Sequence, residues 1–171
     1  CKAGVISKVE EPTPWVNSMV IVEKKDSSLR ICIDPKELNE FIMRDYRSIP
    51  SAEEVSSKLN GKMIFSVIDM ADCYWHIKLD KESSLLCTFN TPFGRHKFNR
   101  LPFGISCASD AAQNMVEQNF GDIEGVLAIH DDLIISASSI KQHDQILERV
   151  LQRAKERNIK FNLKKMQLRI H

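Results

Sequence analysis

Short runs of alternating apolar and polar residues recur along this chain, separated by polar turns. Asn17 to Lys25 ("NSMVIVEKK") and Leu29 to Asp34 ("LRICID") are rich in β-branched residues and flank the polar stretch "DSS". That pattern predicts a β-hairpin. Pro35 opens "PKELNEFI", a predicted short helix. In "SIPSAEEVSSKLNG", Ser51 precedes Glu54 by three residues, the spacing of a capping box, and Gly61 ends the predicted helix. "KMIFSVIDM" reads as a strand ending at Asp69, and the alternation of "YWHIKL" predicts another. "LLCTFNTPFGRHKFN" predicts two strands around a turn containing Pro92 and Gly94. "SDAAQNMVEQNF" reads as a helix. Two apolar runs, Val126 to Ile129 and Leu133 to Ile135, then flank Asp131 and Asp132 in a second hairpin. In "IKQHDQILERVLQRAKERN", residues Ile146, Leu147, Val150, Leu151 and Ala154 fall on one stripe of a long helix. "MQLRI" closes as a strand.

Strands interspersed with helices, most of them linked as hairpins, imply an α+β fold. A largely antiparallel sheet should carry its helices on one face. The first fifty or so residues read as a separate lobe, with a boundary near Ser48–Pro50. The 171 residues suffice for one ordinary domain with a hydrophobic core. A 43% hydrophobic and 27% charged composition fits a soluble globular chain. Lys+Arg 24 against Asp+Glu 23 leaves a net charge of +1, so bulk charge neither demands nor excludes a nucleic-acid partner. The cysteines (Cys1, Cys32, Cys73, Cys87 and Cys107) are odd in number and form no C-x-x-C pair. That pattern suits a reduced intracellular protein rather than a disulfide framework or a zinc site. No apolar run approaches the ~18 residues of a membrane span, and no signal peptide is visible. A start at Cys1 and an end on the strand-like "LKKMQLRIH" suggest a piece of a longer chain.

The charge that changes the picture is local. Asp69, Asp131 and Asp132 fall at the ends of apolar strands, where a carboxylate is costly unless neutralised, paired or bound to a cation. Three of them together repel and raise one another's pKa. Two hard divalent ions resolve that conflict with oxygen ligands and can clamp both oxygens of a phosphoryl displacement. Successive strand side chains point to opposite faces, so Asp131 and Asp132 can share a site only at a turn. Taken alone, Asp-Asp also suits a solvated turn, and Asp69 could simply cap the next segment. One aspartate after "FSVI" joined to a later Asp-Asp hairpin is more informative.

Five stretches occur in order: "PWVNSMVIVEKKDSSLRICIDPKELNEFI", "FSVIDMADCYWHIKL", "TPFGRHKFNRLPFGISCASDAAQ", "IHDD" and "NIKFNLKKMQL". From about Gly4 onward the chain thereby resembles the reverse transcriptases of Gypsy-type long-terminal-repeat retrotransposons, and more distantly the retroviral enzymes. The resemblance implies a polymerase right-hand fold: a palm with an antiparallel sheet, plus a small β-rich fingers lobe. Residues 1–48 would be the N-terminal part of the fingers. Residues 49–171 would be the palm with an inserted fingers segment, ending before the thumb.

The same resemblance implies an RNA-directed DNA polymerase, a nucleotidyltransferase adding deoxynucleotides to a primer 3′-hydroxyl. Asp69, Asp131 and Asp132 match its metal-binding triad, with the Met70 carbonyl as a further ligand. The cofactor would be two Mg²⁺ ions, with Mn²⁺ as a substitute. Lys24 and Arg30 match residues that hold the incoming triphosphate, a role suited to an ammonium and a planar guanidinium. Asp72, Cys73 and Tyr74 match the sugar pocket, with Tyr74 as the gate against a 2′-hydroxyl. Phe103 and Gly104 match the segment beneath the nascent base pair. Arg95, Lys97 and Arg100 would meet template phosphates; as alternating charges they equally suit a solvent face. Lys165 matches by position a proton donor to pyrophosphate, with Lys164 as competitor.

Implied partners are an RNA or DNA template with its primer, deoxynucleoside triphosphates, and the thumb and ribonuclease H segments of a parent polyprotein. Implied locations are a cytoplasmic particle or the nucleus, without secretion or membrane association. The chain departs from the family at "IHDD", where Ile129 replaces the usual Tyr and His130 fills the variable position near the primer end. In "ASDAAQ", Ser109 and Ala112 replace the usual Pro and Phe. Rival readings are a degenerate palm fold that binds nucleic acid without polymerising, a metal-dependent phosphohydrolase and a non-catalytic structural module.

Overall fold

Backbone pairing turns the alternation of the sequence into three sheets of antiparallel strands among the described residues. The structure is a computed structural model and describes residues 4–24, 27–44 and 50–170. In chain order the elements begin with β1 (Ile6–Lys8), β2 (Ser18–Glu23), β3 (Leu29–Asp34), α1 (Lys36–Phe41) and α2 (Ala52–Leu59). Next come β4 (Ile64–Asp69), a 3₁₀ turn over Cys73–His76, α3 (Lys81–Leu86), β5 (Thr88–Thr91) and β6 (Gly94–Phe98). The chain closes with α4 (Ala108–Phe120), β7 (Val126–Ile129), β8 (Asp132–Ala137), α5 (Ile140–Glu156) and β9 (Gln167–Ile170). No helix among them is long and apolar enough to cross a membrane. Cys1, Lys25, Asp26 and Ser48, which enter the sequence expectations, lie outside the described residues.

The chain divides into two compact units, one formed by Cys1–Asp45 with Tyr74–Ala108, the other by Tyr46–Cys73 with Ser109–His171. In the first, the expected hairpin is present: β2 and β3 pair from Ser18↔Asp34 to Glu23↔Leu29. A second sheet runs β1-β6-β5, so residues far apart in sequence share one ladder. Phe89 and Phe98 from its strands are fully buried, with ring centroids 5.0 Å apart. Pro35 stands at the N-cap of α1, one residue before the helical turn begins, and its side chain caps nothing.

"YWHIKL" is not a strand. Asp72 adopts a left-handed φ of 48° and turns the chain into the 3₁₀ segment; only Lys78 forms a bridge, with Arg100. Asp80 then caps α3 by accepting from the Ser83 N–H. The strand expected from Leu85 therefore starts at Thr88. The left-handed Asp72 turn leads into the 3₁₀ segment, and the Asp80 cap, a local side chain-to-backbone bond, starts α3 where alternation predicts a strand.

In the second unit the sheet order is β7-β8-β4-β9. Ile64, Ile68, Leu133, Ile135 and Ala137 are buried along it, and α5 packs against β8 and β4. The capping box forms as expected: the Glu54 N–H donates to Ser51 Oγ, and the Ser51 N–H donates to Glu54 Oε2. The buried stripe of α5 is His143, Ile146, Val150 and Ala154. Leu151, expected on that stripe, is 45% exposed. His143 takes a core position because its ring has partners there, with Nε2 2.8 Å from Ser66 Oγ and Nδ1 3.2 Å from Asp144 Oδ1.

Candidate active site

Cross-strand register assembles the carboxylates. Ile129 pairs with Asp132 across β7 and β8, and Asp132 pairs with Asp69 across β8 and β4. Residues directly opposite in a ladder project to the same face. Ile129, Asp132 and Asp69 therefore form one row. Ile68 and Leu133, one position along, are fully buried on the other face and hold the strands beneath that row.

The hairpin tip contains two residues, His130 and Asp131, between paired Ile129 and Asp132. His130 has φ 53°, the left-handed conformation that tight hairpin turns impose on their first central residue. Gln113 of α4, 1% exposed, secures this tip. Its Nε2 donates to the Ala128 carbonyl (3.1 Å) and to Glu117 Oε1 (2.8 Å), while its Oε1 accepts from the His130 N–H (2.8 Å). The Met70 N–H donates to the Asp131 carbonyl (2.9 Å), tying the end of β4 to the tip.

The electrostatics follow from this crowding. Burial raises the Asp132 carboxyl above its ordinary range, and the charges of Asp69 and Asp131 raise it further. Lys165 opposes that rise. Its Nζ donates to Asp69 Oδ2 at 2.9 Å, a bond that raises the ammonium above its usual value. Cys73 lies beside Asp131: burial, then the Asp131 charge and hydrogen bond, push its thiol up to about 12. Among the described residues no three His, Cys, Asp or Glu side chains are gathered tightly enough to hold one ion as they stand. The donor set is nevertheless all carboxylate oxygen, with an ammonium lodged on one member. That is the chemistry of a hard-cation site. Asp72 is exposed in its left-handed turn.

The first unit gathers a different set. Arg30 on β3 lays its guanidinium 4.1 Å from the centroid of the Phe103 ring, and Tyr74 packs on Phe103 with centroids 4.6 Å apart. Arg30 Nε is buried without a hydrogen-bond partner. Gly104 adopts φ +113°, and a Cβ there would stand 2.0 Å from the Ile33 carbonyl oxygen. Glycine is thus required by the close approach of β3, whose Ile33 N–H donates to the Phe103 carbonyl (3.0 Å). Asn39 completes the joint by donating to the Gly104 carbonyl and accepting from the Ser106 N–H. Lys24 closes the β2–β3 turn: its N–H donates to Ser28 and its carbonyl accepts from Ser27.

Arg95 and Lys97, two apart on β6, share a face. Arg100 lies beyond the strand and donates from Nη1 to the His76 carbonyl (3.3 Å). The structure thus joins Asp69, Asp132 and Lys165, with Asp131 and Cys73 beside them, and separately joins Arg30, Tyr74, Phe103 and Gly104. Lys165 rather than Lys164 reaches the carboxylates. Sequence reasoning did not single out Gln113; a glutamine between buried Ala112 and Val116 was the available signal, since a buried amide needs partners.

A family model described as reverse transcriptase (RNA-dependent DNA polymerase) matches residues 22–170. An uncharacterized Caenorhabditis elegans protein is 33% identical over 154 residues, which are 88% of this chain and 12% of that protein. The retrovirus-related Pol polyprotein from transposon 412 of Drosophila melanogaster is 29% identical over 174 residues, 96% of this chain and 14% of the polyprotein. The chain therefore spans less than a sixth of either relative. Among solved structures, the foamy viral protease-reverse transcriptase in complex with double-stranded DNA superposes with a TM-score of 0.88 at 23% identity, covering 98% of this chain and 29% of that one. That likeness concerns the fold, an α+β polymerase fragment. With the family model spanning all but the first 21 residues and the last, the chain belongs to the reverse transcriptase (RNA-dependent DNA polymerase) family.

Proposed function

We propose that this chain is the fingers and palm of a Gypsy-type retrotransposon reverse transcriptase, working within a larger polyprotein in a cytoplasmic particle or the nucleus. Residues 1–48 and the segment inserted near 74–108 serve as fingers, and the remainder as palm. The observation that carries the reading is the Asp69–Asp132 row beside a two-residue Asp131 turn. The transposon 412 relative supports the retrotransposon assignment. The foamy viral complex supports a nucleic-acid duplex as the bound partner, here an RNA or DNA template with its primer.

Asp69, Asp131 and Asp132, with the Met70 carbonyl, hold two Mg²⁺ ions, for which Mn²⁺ can substitute. Bound there, such ions supply Lewis acidity toward the primer 3′-hydroxyl and the triphosphate. The chain's own residues do the rest. Lys24 and Arg30 hold the triphosphate of the incoming deoxynucleotide, and the Phe103 ring keeps the Arg30 plane oriented. Tyr74, braced by the same ring, crowds the 2′ position of the sugar, beside the backbone of Asp72 and Cys73. Gly104 fixes the loop under the new base pair. Ile129 and His130 flank the primer end, while Arg95, Lys97 and the remaining donors of Arg100 meet template phosphates. Lys165 gives a proton to departing pyrophosphate.

The test is primer extension in a polymerase containing this chain. Asp69→Asn and Asp131→Asn are each expected to abolish Mg²⁺-dependent extension; wild-type rates in either would sink the assignment. Ile129, which brings no hydroxyl or ring to the primer end, favours a second reading in which the fold binds nucleic acid without polymerising. Saturable primer–template binding with no extension, in wild type carrying a thumb, would select it.

A further inference from the structure

An exposed lysine seldom keeps a fixed partner, because holding four methylenes in one rotamer costs about what the ion pair gains. Lys165 is placed differently. The Asn162 N–H donates to the Asp69 carbonyl (2.9 Å), and the Lys165 N–H donates to the Asn162 carbonyl (3.1 Å). Asn162 Oδ1 also accepts from the Lys164 N–H (3.2 Å). One step away, the Ala71 N–H donates to the Lys160 carbonyl (2.9 Å), and Met70 bridges Phe161. The turn bearing Lys165 is therefore stitched to the strand end bearing Asp69. The ammonium is delivered to the carboxylate by backbone.

The same row needs a cation. Beyond the effect of burial, register sets Asp132 opposite Asp69 with Asp131 at the adjoining turn, so their charges raise the Asp132 carboxyl, and Lys165 opposes that rise. Lys165 Nζ stands 2.9 Å from Asp69 Oδ2. A divalent ion binds a carboxylate oxygen at roughly 2.1 Å, which would bring it against that ammonium. The two cannot share the oxygen without strong repulsion.

We propose that Lys165 is a surrogate cation for the carboxylate row, seated on Asp69 until a divalent ion displaces it, so that metal loading releases the lysine for proton donation. The inference rests on the proposed metal-binding role of the triad and adds regulation to it: the protein's own ammonium competes with its cofactor. Without the metal, Lys165 holds the carboxylates together. With the metal bound, the side chain is free to turn toward a leaving group.

Mn²⁺ binding to the whole chain, followed by loss of the free-ion paramagnetic resonance signal, tests this without any turnover. Lys165→Gln should bind Mn²⁺ about two- to fivefold more tightly than wild type, the worth of an exposed ion pair. Lys165→Arg should stay near wild type because it keeps the competing charge. Lys164→Gln removes an equal charge one residue away and should change affinity by less than half that of Lys165→Gln. Asp132→Asn should lose binding. Unchanged or weaker binding in Lys165→Gln, or equal tightening in Lys164→Gln, would overturn the inference alone. No saturable binding in any variant, or full retention in Asp132→Asn, would overturn the metal-binding role itself.

Discussion

Gln113 joins the apolar face of a helix to the most strained part of the hairpin. Its side chain serves Ala128 on one side of the tip and His130 at its centre. The His130 backbone has φ 53°, where a β-branched side chain is badly accommodated. Gln113→Leu keeps the volume but strands a buried carbonyl and an N–H, a cost of roughly 1–3 kcal/mol. A lower urea midpoint with an unchanged slope is expected, and primer extension should fall by more than the folded fraction does. Extension that tracked the folded fraction alone would reduce Gln113 to a packing role. At the tip itself, His130→Val should destabilise by about 1–2 kcal/mol and His130→Gly should not. Equal urea midpoints for these two variants would show that the turn carries no such strain. The three aspartates were legible because apolar flanks made their charge conspicuous. Gln113 was not, because its partners lie 15 and 17 positions away and meet it only after folding.

The elements read most easily were those that carry their own punctuation. Ser51 and Glu54 announce α2, and the two expected hairpins, β2 with β3 and β7 with β8, pair as read. The 3₁₀ turn and α3 were hidden, because "YWHIKL" imitates a strand and Asp80 acts through a single backbone bond. The attachment of β9 is hidden in another way. Ser66 of β4 accepts from the Arg169 N–H (3.0 Å), and the Arg169 guanidinium pairs with Asp144 of α5 (2.7 Å). Asp144 also faces buried His143, itself on Ser66. Three elements meet through four polar side chains that periodicity cannot associate. The bond from His143, then that from Arg169, holds the Asp144 carboxyl below its ordinary range. A carboxyl depressed in the folded state adds stability above its unfolded pKa, and that stability is lost as pH falls through the folded value. Asp144→Asn should therefore unfold at lower urea than wild type near pH ~7, with the gap closing below the ordinary carboxylate range. A gap independent of pH would show that the network acts through packing alone.

At the scale of the molecule, chemistry is partitioned between two units. The carboxylate row and Lys165 belong wholly to one, while Arg30, Tyr74, Phe103 and Gly104 belong wholly to the other. Each set is organised by its own unit's strands: the first by the β7-β8-β4 register, the second by β3 closing on Gly104. Substitutions in one unit should therefore leave the other's binding property intact. Arg30→Lys is the sharpest case. It keeps the positive charge but loses the planar stack on Phe103, since an ammonium cannot lie flat on a ring. The stack is made with or without nucleotide, so its loss acts on KM through the orientation of the cation. The KM for deoxynucleotide should rise by no more than the ~0.5–2 kcal/mol that the contact is worth, at most roughly thirtyfold. Mn²⁺ affinity should remain at the wild-type value, because no Arg30 atom contributes to the carboxylate row. Measured together in a polymerase containing this chain, the two numbers separate nucleotide positioning from metal holding. If Arg30→Lys weakened Mn²⁺ binding in proportion to the loss in KM, the separate roles given to Arg30 and to the carboxylates would fail.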